Sequence, residues 1–243
     1  MTQTFASAYN DVYCDGLEQT VRGAKVSALY GITIGSPDNV YPHRVGCNPA
    51  IGLIEGLQFI AGTAELSAIK AVAPNAKHDL FGLNSFYGPR TAAQFPRVVD
   101  LLNEQRSTRQ AVVMVTHPDD SPETIPCTLA VQFQIGKYDA LQAQFTMRSS
   151  DMVWGMPYDL IQFGMVTQAI KCCTGCSIGD VIVHTANAHI YDATSVRPTA
   201  WAGSYFVMPE KFETWNAWRN WAKEVVYSEL SKEKLLKMFG IEQ

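Results

Sequence analysis

No apolar stretch in this 243-residue sequence approaches the roughly 18 residues that a membrane-spanning helix needs. The opening MTQTFASAYND lacks the basic segment and apolar core of a secretory leader, so a soluble, cytoplasmic protein is expected. Positive charge is also scarce: 19 Lys and Arg stand against 23 Asp and Glu, a formal net charge of −4. That balance leaves no broad basic field to grip a nucleic-acid polymer or an anionic membrane. Any phosphate must therefore be held by a few placed arginines. Glycine-rich phosphate loops are missing too, since neither GxGxxG nor a Walker-type motif occurs.

Six cysteines are too few to staple a chain of this length. Cys172, Cys173 and Cys176 cluster in KCCTGCSIGD, but no second CxxC or HxxxH supplies the other half of a zinc site, so no metal is expected. The segment LIQFGMVTQAIKCC reads instead as a buried amphipathic helix ended by Gly175, with cysteines filling core space. Cys127 stands apart, following a Pro-containing turn at the start of an alternating strand.

What is plentiful is core-forming material, 47% hydrophobic with 11% aromatic, which excludes disorder and fits one domain over residues 1–243. No repeat, charge block or linker divides the chain. VSALYGITIG reads as a strand, and NPAIGLIEGLQFIAG and AQFPRVVDLLNEQ read as helices. QAVVMVTHP, PCTLAVQFQIG and ALQAQFTMRSS form a cluster of strands, the last two joined as a hairpin through GKYD. A helix over about residues 157–173, the strand GDVIVHTANAHIY and a Trp-rich helical segment with Trp215, Trp218 and Trp221 in the core complete the order. Strands and helices without regular βαβ alternation predict an α+β fold.

The stretch over residues 145–191 carries Arg-Ser-x-Asp at a strand end, Gly-x-Pro-x-Asp opening a helix, a Gly-x-x-x-Gly-Asp turn and Ala-His-Ile-Tyr. With the upstream STRQAVVMVTHP, PCTLAVQFQI and NPAIGLIEGLQFIAG in the same order, it resembles the thymidylate synthases over about residues 41–194. The resemblance implies a mixed β-sheet with helices, a sheet-to-sheet homodimer, and one-carbon transfer from 5,10-methylenetetrahydrofolate to C5 of a pyrimidine nucleotide. C5 is a weak nucleophile until a thiolate adds at C6, a covalent device that splits one hard step into two. The resemblance assigns that addition to Cys127, whose ionisation an arginine-rich, water-excluding pocket favours.

Glu55 is a lone carboxylate in an apolar helix, expensive to bury; the resemblance makes it the general acid/base that organises water. The resemblance also implies that Tyr87 in NSFYGPR helps a proton relay near C5. Arg148 and Ser149 are implied phosphate ligands, because a guanidinium fork matches phosphate oxygens. Arg109 corresponds to one of two arginines lent across the dimer interface; the second is Gln110 here, with Arg44 as a possible substitute. His189 and Tyr191 lie two apart on a strand, hence on one face, and are implied to hold the sugar. Asp151 and Gly155 are implied contacts of the folate.

Three departures bear on the substrate. Asp159 stands where thymidylate synthases have Asn; a protonated Asp matches the ring nitrogen and exocyclic amino group of cytosine, an ionised one favours a protonated cytosine, and either way cytosine is selected. Cys127 is followed by Thr128 rather than His, which resembles the phage deoxycytidylate hydroxymethylases. KLLKMFGIEQ lacks the usual apolar closing segment, and a wetter site lets water, rather than hydride, add to the exocyclic methylene. The expected substrates are thus dCMP and the folate, and the expected product is 5-hydroxymethyl-dCMP. Reductive methylation of dCMP, chemistry on dUMP and a catalytically silent homologue are the alternatives.

Overall fold

In the computed structural model, which describes residues 2–21, 23–75 and 86–241, nine strands and eight helices are described. The chain enters through α1 (Phe5–Asp15), whose cap Thr4 accepts from the Ser7 amide. This helix is absent from the reading of the sequence, because its apolar positions are diluted by polar ones. Then follow β1 (Leu17–Val21), β2 (Ala24–Pro37) and β3 (Val40–His43). Helix α2 (Pro49–Ala61) has Asn48 as its cap, Pro49 in its first turn and the left-handed Gly62 at its end, with φ 77°.

Two short helices, α3 (Leu66–Val72) and α4 (Gly88–Thr91), and then α5 (Phe95–Glu104) precede the central strands β4 (Val112–Met114), β5 (Thr128–Ile135) and β6 (Ala140–Met147). The expected hairpin through GKYD joins β5 and β6; its tight turn places Tyr138 and Asp139 at φ 62° and 54°. The two-residue β7 (Ser150–Asp151) leads into α6 (Met156–Thr174), followed by β8 (Ile178–Tyr191), β9 (Ala202–Tyr205), α7 (Trp215–Tyr227) and α8 (Lys232–Met238).

The main sheet runs β1-β2-β8-β6-β5-β4, with β7 also paired to β8; β3 and β9 form a separate pair. Its ladders are antiparallel except β6–β8 and β7–β8, so the expected α+β class with a mixed sheet is what the chain adopts. The parallel β6–β8 pair requires a crossover, and α6 supplies it.

One face of the sheet is apolar: Val131, Phe133, Leu141, Ala143, Phe145, Val181 and Val183 are all buried. Phe145 stacks on Phe163 of α6 with ring centroids 3.8 Å apart. Helix α6 is buried around nearly its whole circumference, which corrects the expectation of an amphipathic helix: it lies between the sheet and α2. Cys173 and Cys176 are core residues, as expected, and Cys172 is half-buried. Trp215 and Trp218 of α7 are core residues as well, while Trp221 is partly buried against the core. The other face of the sheet carries Gln132, Gln134, Gln142, Gln144, Thr146 and His184, half-buried or exposed. Among the described residues no helix is long and apolar enough to cross a membrane.

Candidate active site

Helices α2 and α6 approach unusually closely, and glycine is the reason. A Cβ at Gly52 would lie 2.8 Å from Cβ of Ile161, and one at Gly56 would lie 3.1 Å from Cα of Gln162. The two glycines are four apart and so share one face of α2. With backbones this near, Glu55 on α2 comes within electrostatic reach of Asp159 in the first turn of α6.

Asp159 is buried, and loss of hydration holds its carboxyl well above the usual carboxylate range, reinforced by Glu55 and opposed by a hydrogen bond from Gln162. That bond runs from Gln162 Nε2 to Asp159 Oδ1 at 2.9 Å. Tyr87 is also buried, and its phenol is held well above its ordinary pKa, first by burial and then by Asp159, Cys127 and Glu55 around it. Four of the residues singled out in the sequence, Glu55, Tyr87, Cys127 and Asp159, are therefore neighbours.

Cys127 immediately precedes β5 and is exposed. A register shift between Thr128 and Ala130 marks an irregularity at the start of this strand, a device that re-aims side chains near sites. Thr128 itself is fully buried; although the Tyr87 phenol faces it, its hydroxyl has no hydrogen bond of good geometry among the described residues.

Two arginines hold the segment that presents Cys127. Arg148 Nε donates to the Pro126 carbonyl at 3.0 Å and Nη2 to the Ile125 carbonyl at 3.1 Å. No protein acceptor is recorded for its Nη1 among the described residues. Arg90 donates to both carboxylate oxygens of Asp120, at 2.9 and 2.8 Å, and to the carbonyls of Val115 and Thr124. The hydrogen bond from Arg90 keeps the Asp120 carboxyl below the usual range. Reading the sequence missed Arg90; its only signal is a cation directly after the Tyr-Gly-Pro of a turn.

A second group assembles where β7 pairs with β8, placing Asp151 opposite His189. Asp151 Oδ1 accepts from the amides of Val153 at 2.7 Å and Trp154 at 3.3 Å, fixing the turn into α6. Burial raises the Asp151 carboxyl and lowers the His189 imidazole, so each is biased toward its neutral form. Ser149 Oγ lies 3.3 Å from His189 Nδ1, and His189 meets Tyr191 edge to face at 5.2 Å. The strand alternation that pointed both rings to one face is thus matched by their contact.

Gly155 precedes α6; a Cβ there would sit 3.0 Å from the Asp151 carbonyl oxygen, so a larger residue would have to push this turn open by a few tenths of an ångström. Beside it, Arg44 lies over the half-exposed Trp154 ring at 4.6 Å, with Trp201 at 5.5 Å. An exposed indole backed by a guanidinium, with the half-buried Asp151 carboxyl nearby, is a set of groups that fits a flat, hydrogen-bonding ring system. Among the described residues no cluster of three His, Cys, Asp or Glu could hold a metal ion.

Arg109 is not part of this assembly within its own chain. It is exposed beside the edge strand, and its carbonyl accepts from Gln132 Nε2 at 2.9 Å. Gln132 is five residues along β5 from Cys127, roughly 16 Å at the usual rise per strand residue.

Sequence comparison bears on most of these residues, though its family match begins beyond Arg44 and Glu55. The family model described as Thymidylate synthase matches residues 62–198, more than half of the chain. Human thymidylate synthase is 30% identical over 111 residues, 45% of this chain and 35% of that protein. Thymidylate synthase of varicella-zoster virus (strain Dumas) is 29% identical over 100 residues, 40% of this chain and 33% of that protein. The chain is thus matched to only about a third of the length of these relatives.

Proposed function

We propose, from the premise that this chain belongs to the thymidylate synthase family, that it transfers a one-carbon unit to C5 of a pyrimidine mononucleotide, and that the nucleotide is dCMP and the product 5-hydroxymethyl-dCMP. The observation that carries the choice of base is the buried Asp159, whose carboxyl is biased toward its neutral form by burial and by Glu55, where an Asn would otherwise be expected. A neutral acid offers one donor and one acceptor, the complement of the cytosine ring nitrogen and its amino group.

In this reading the Cys127 thiolate adds to C6, and C5 becomes the nucleophile. The folate supplies the methylene carbon and departs as tetrahydrofolate. Loss of the C5 proton as tetrahydrofolate departs leaves an exocyclic methylene; Glu55 takes and returns protons and directs water onto it while Cys127 is still bonded to C6, and the thiolate then leaves. Tyr87, buried between Cys127 and Asp159 and hard to ionise, serves as a neutral hydroxyl that passes a proton near C5. Arg148 anchors the phosphate with its remaining nitrogen, alongside Ser149; His189 and Tyr191 face the sugar. Asp151, Gly155 and the Arg44–Trp154 pair border the folate.

The homodimer belongs to the same proposal. The outer face of the sheet carries a chain of hydrogen bonds from Thr33 through His184 and Gln144 to Gln134, a polar surface of hydroxyl, imidazole and amide groups suited to meeting a second copy. Arg109, remote from its own Cys127, is then free to serve the neighbouring site.

The test is tritium release from C5-labelled dCMP and dUMP with 5,10-methylenetetrahydrofolate, followed by chromatography of the product. Preferential release from dCMP with a hydroxymethylated product and no dihydrofolate is expected. Dihydrofolate formed in step with turnover points to reductive methylation instead, and preferential release from dUMP overturns the choice of base.

A further inference from the structure

Gln162 lies one turn beyond Asp159 on α6, between the apolar Ile161 and Phe163, and only 5% of it is exposed. Burying a primary amide is costly unless its polar atoms are matched, and its donor is matched by Asp159 Oδ1. We propose that Gln162 is a positioning residue that decides which oxygen of the Asp159 acid carries the proton, and so sets the preference of the site for cytosine over uracil. The inference rests on the dCMP reading above and adds to it the device that makes an aspartic acid selective.

A neutral carboxylic acid does not by itself distinguish the two bases. With the proton on one oxygen it donates to the cytosine ring nitrogen and accepts from the amino group. With the proton moved to the other oxygen it accepts from the uracil ring N–H and donates to the uracil carbonyl. Moving one proton thus reverses the pattern, and the acid alone is ambivalent.

Gln162 breaks the symmetry. Its Nε2 can only donate, and a carbonyl oxygen is a better acceptor than the hydroxyl oxygen of an acid. Oδ1 is therefore held as the carbonyl, with a second lone pair left for an exocyclic amino group, and the proton is kept on Oδ2 for the ring nitrogen. Burial and the nearby Glu55 bias the acid toward its neutral form, the form that has a proton to place. Gln162 touches neither base nor reacting carbon in this scheme; it acts through Asp159.

Steady-state tritium release from dCMP and dUMP tests the assignment, read as the ratio of the two kcat/KM values. Gln162→Met keeps the volume and removes the donor, and is expected to lower the dCMP:dUMP ratio roughly fivefold, mainly by raising turnover of dUMP. Gln162→Glu replaces the donor by an acceptor, draws the proton to Oδ1, and is expected to lower the ratio further at neutral pH. A purely structural role would depress both substrates together and leave the ratio alone. Should Met disturb folding, the isosteric Glu carries the test, with circular dichroism reporting the fold. An unchanged ratio in a folded variant, against a wild type that prefers dCMP, overturns the role of Gln162 alone. A wild type without that preference overturns the underlying reading, and this proposal with it.

Discussion

The backbone amide of Arg148 donates to the carbonyl of Cys127 at 2.8 Å, while the Arg148 side chain reaches back to the carbonyls of Pro126 and Ile125. One residue thereby holds three consecutive peptide units, and the thiol hangs from the last of them. The guanidinium does two jobs in the proposed mechanism: it orders the nucleophile segment and it offers a nitrogen to phosphate. A lysine brings charge but no fork, so Arg148→Lys cannot do both. The expected result is a loss of roughly a hundredfold in kcat/KM for C5 tritium release, through both kcat and nucleotide KM. Urea unfolding should show a cost of about 1–3 kcal/mol, the usual range for lost charge-assisted bonds.

Asp159 makes stability depend on pH in a definite sense. Its folded-state pKa lies well above that of an unfolded aspartate, near 4, so between the two values the folded chain keeps a proton that the unfolded chain has released. Stability falls as pH rises through that window, by up to about 1.4 kcal/mol per pH unit for one such group. Asp38 and Asp151 are shifted in the same direction by burial and act alike. Asp159→Asn removes one of the three contributions. Melting temperatures taken from pH 4 to pH 8 should show the variant gaining on wild type as pH rises; a constant offset would mean that Asp159 ionises normally in the folded protein.

Most of this assembly could be read from the sequence, for physical reasons that differ residue by residue. Cys127, Arg148 and Asp151 sit at strand ends, where alternation and turn residues announce the boundary; the two-residue period puts His189 and Tyr191 on one face, while the family resemblance is what singles them out. Glu55 and Asp159 are carboxylates in apolar surroundings, and such a mismatch is visible in one dimension. What was not visible depends on approach between distant segments. The closeness of α2 and α6 rests on Gly52 and Gly56 meeting Ile161 and Gln162, more than a hundred residues away. Arg90 finds Asp120 thirty residues on, with no periodicity linking them. Gln162 does not stand out in a segment that reads as an amphipathic helix, because nothing local says that α6 is covered on both sides.

Arg90 and Asp120 supply a prediction about positioning. Their paired hydrogen bonds at 2.8 and 2.9 Å, with the further bonds from Arg90 to Val115 and Thr124, tie the loop before Cys127 to α4. Neither side chain is placed against the substrate. Arg90→Lys loses the two-pronged contact and lets the loop shift by fractions of an ångström, which costs catalysis more than binding. Expected is a fall in kcat of roughly ten- to hundredfold with nucleotide KM changed less than threefold, as orientation effects of this size imply. Asp120→Asn should give a smaller effect in the same direction, measured in the same assay. A rise in KM with kcat intact would show that Arg90 binds ligand rather than placing the thiol.

Thr128 allows the site chemistry to be separated from folding most cleanly. Its hydroxyl is buried without a well-formed hydrogen bond, directly after Cys127 and facing the Tyr87 phenol. A buried polar atom left unmatched lowers stability, so replacing it by a methyl group of the same shape relieves a penalty rather than creating one. Thr128→Val should therefore be neutral or more stable by up to about 1 kcal/mol in urea unfolding. If the hydroxyl steadies Tyr87 for proton transfer once substrate is bound, the same variant should lose roughly tenfold in C5 tritium release, within the range of a positioned acid-base group. The two readouts then move in opposite directions, which no general damage to the fold produces. A variant that is more stable and fully active would assign Thr128 to packing alone, and leave Tyr87 to work without it.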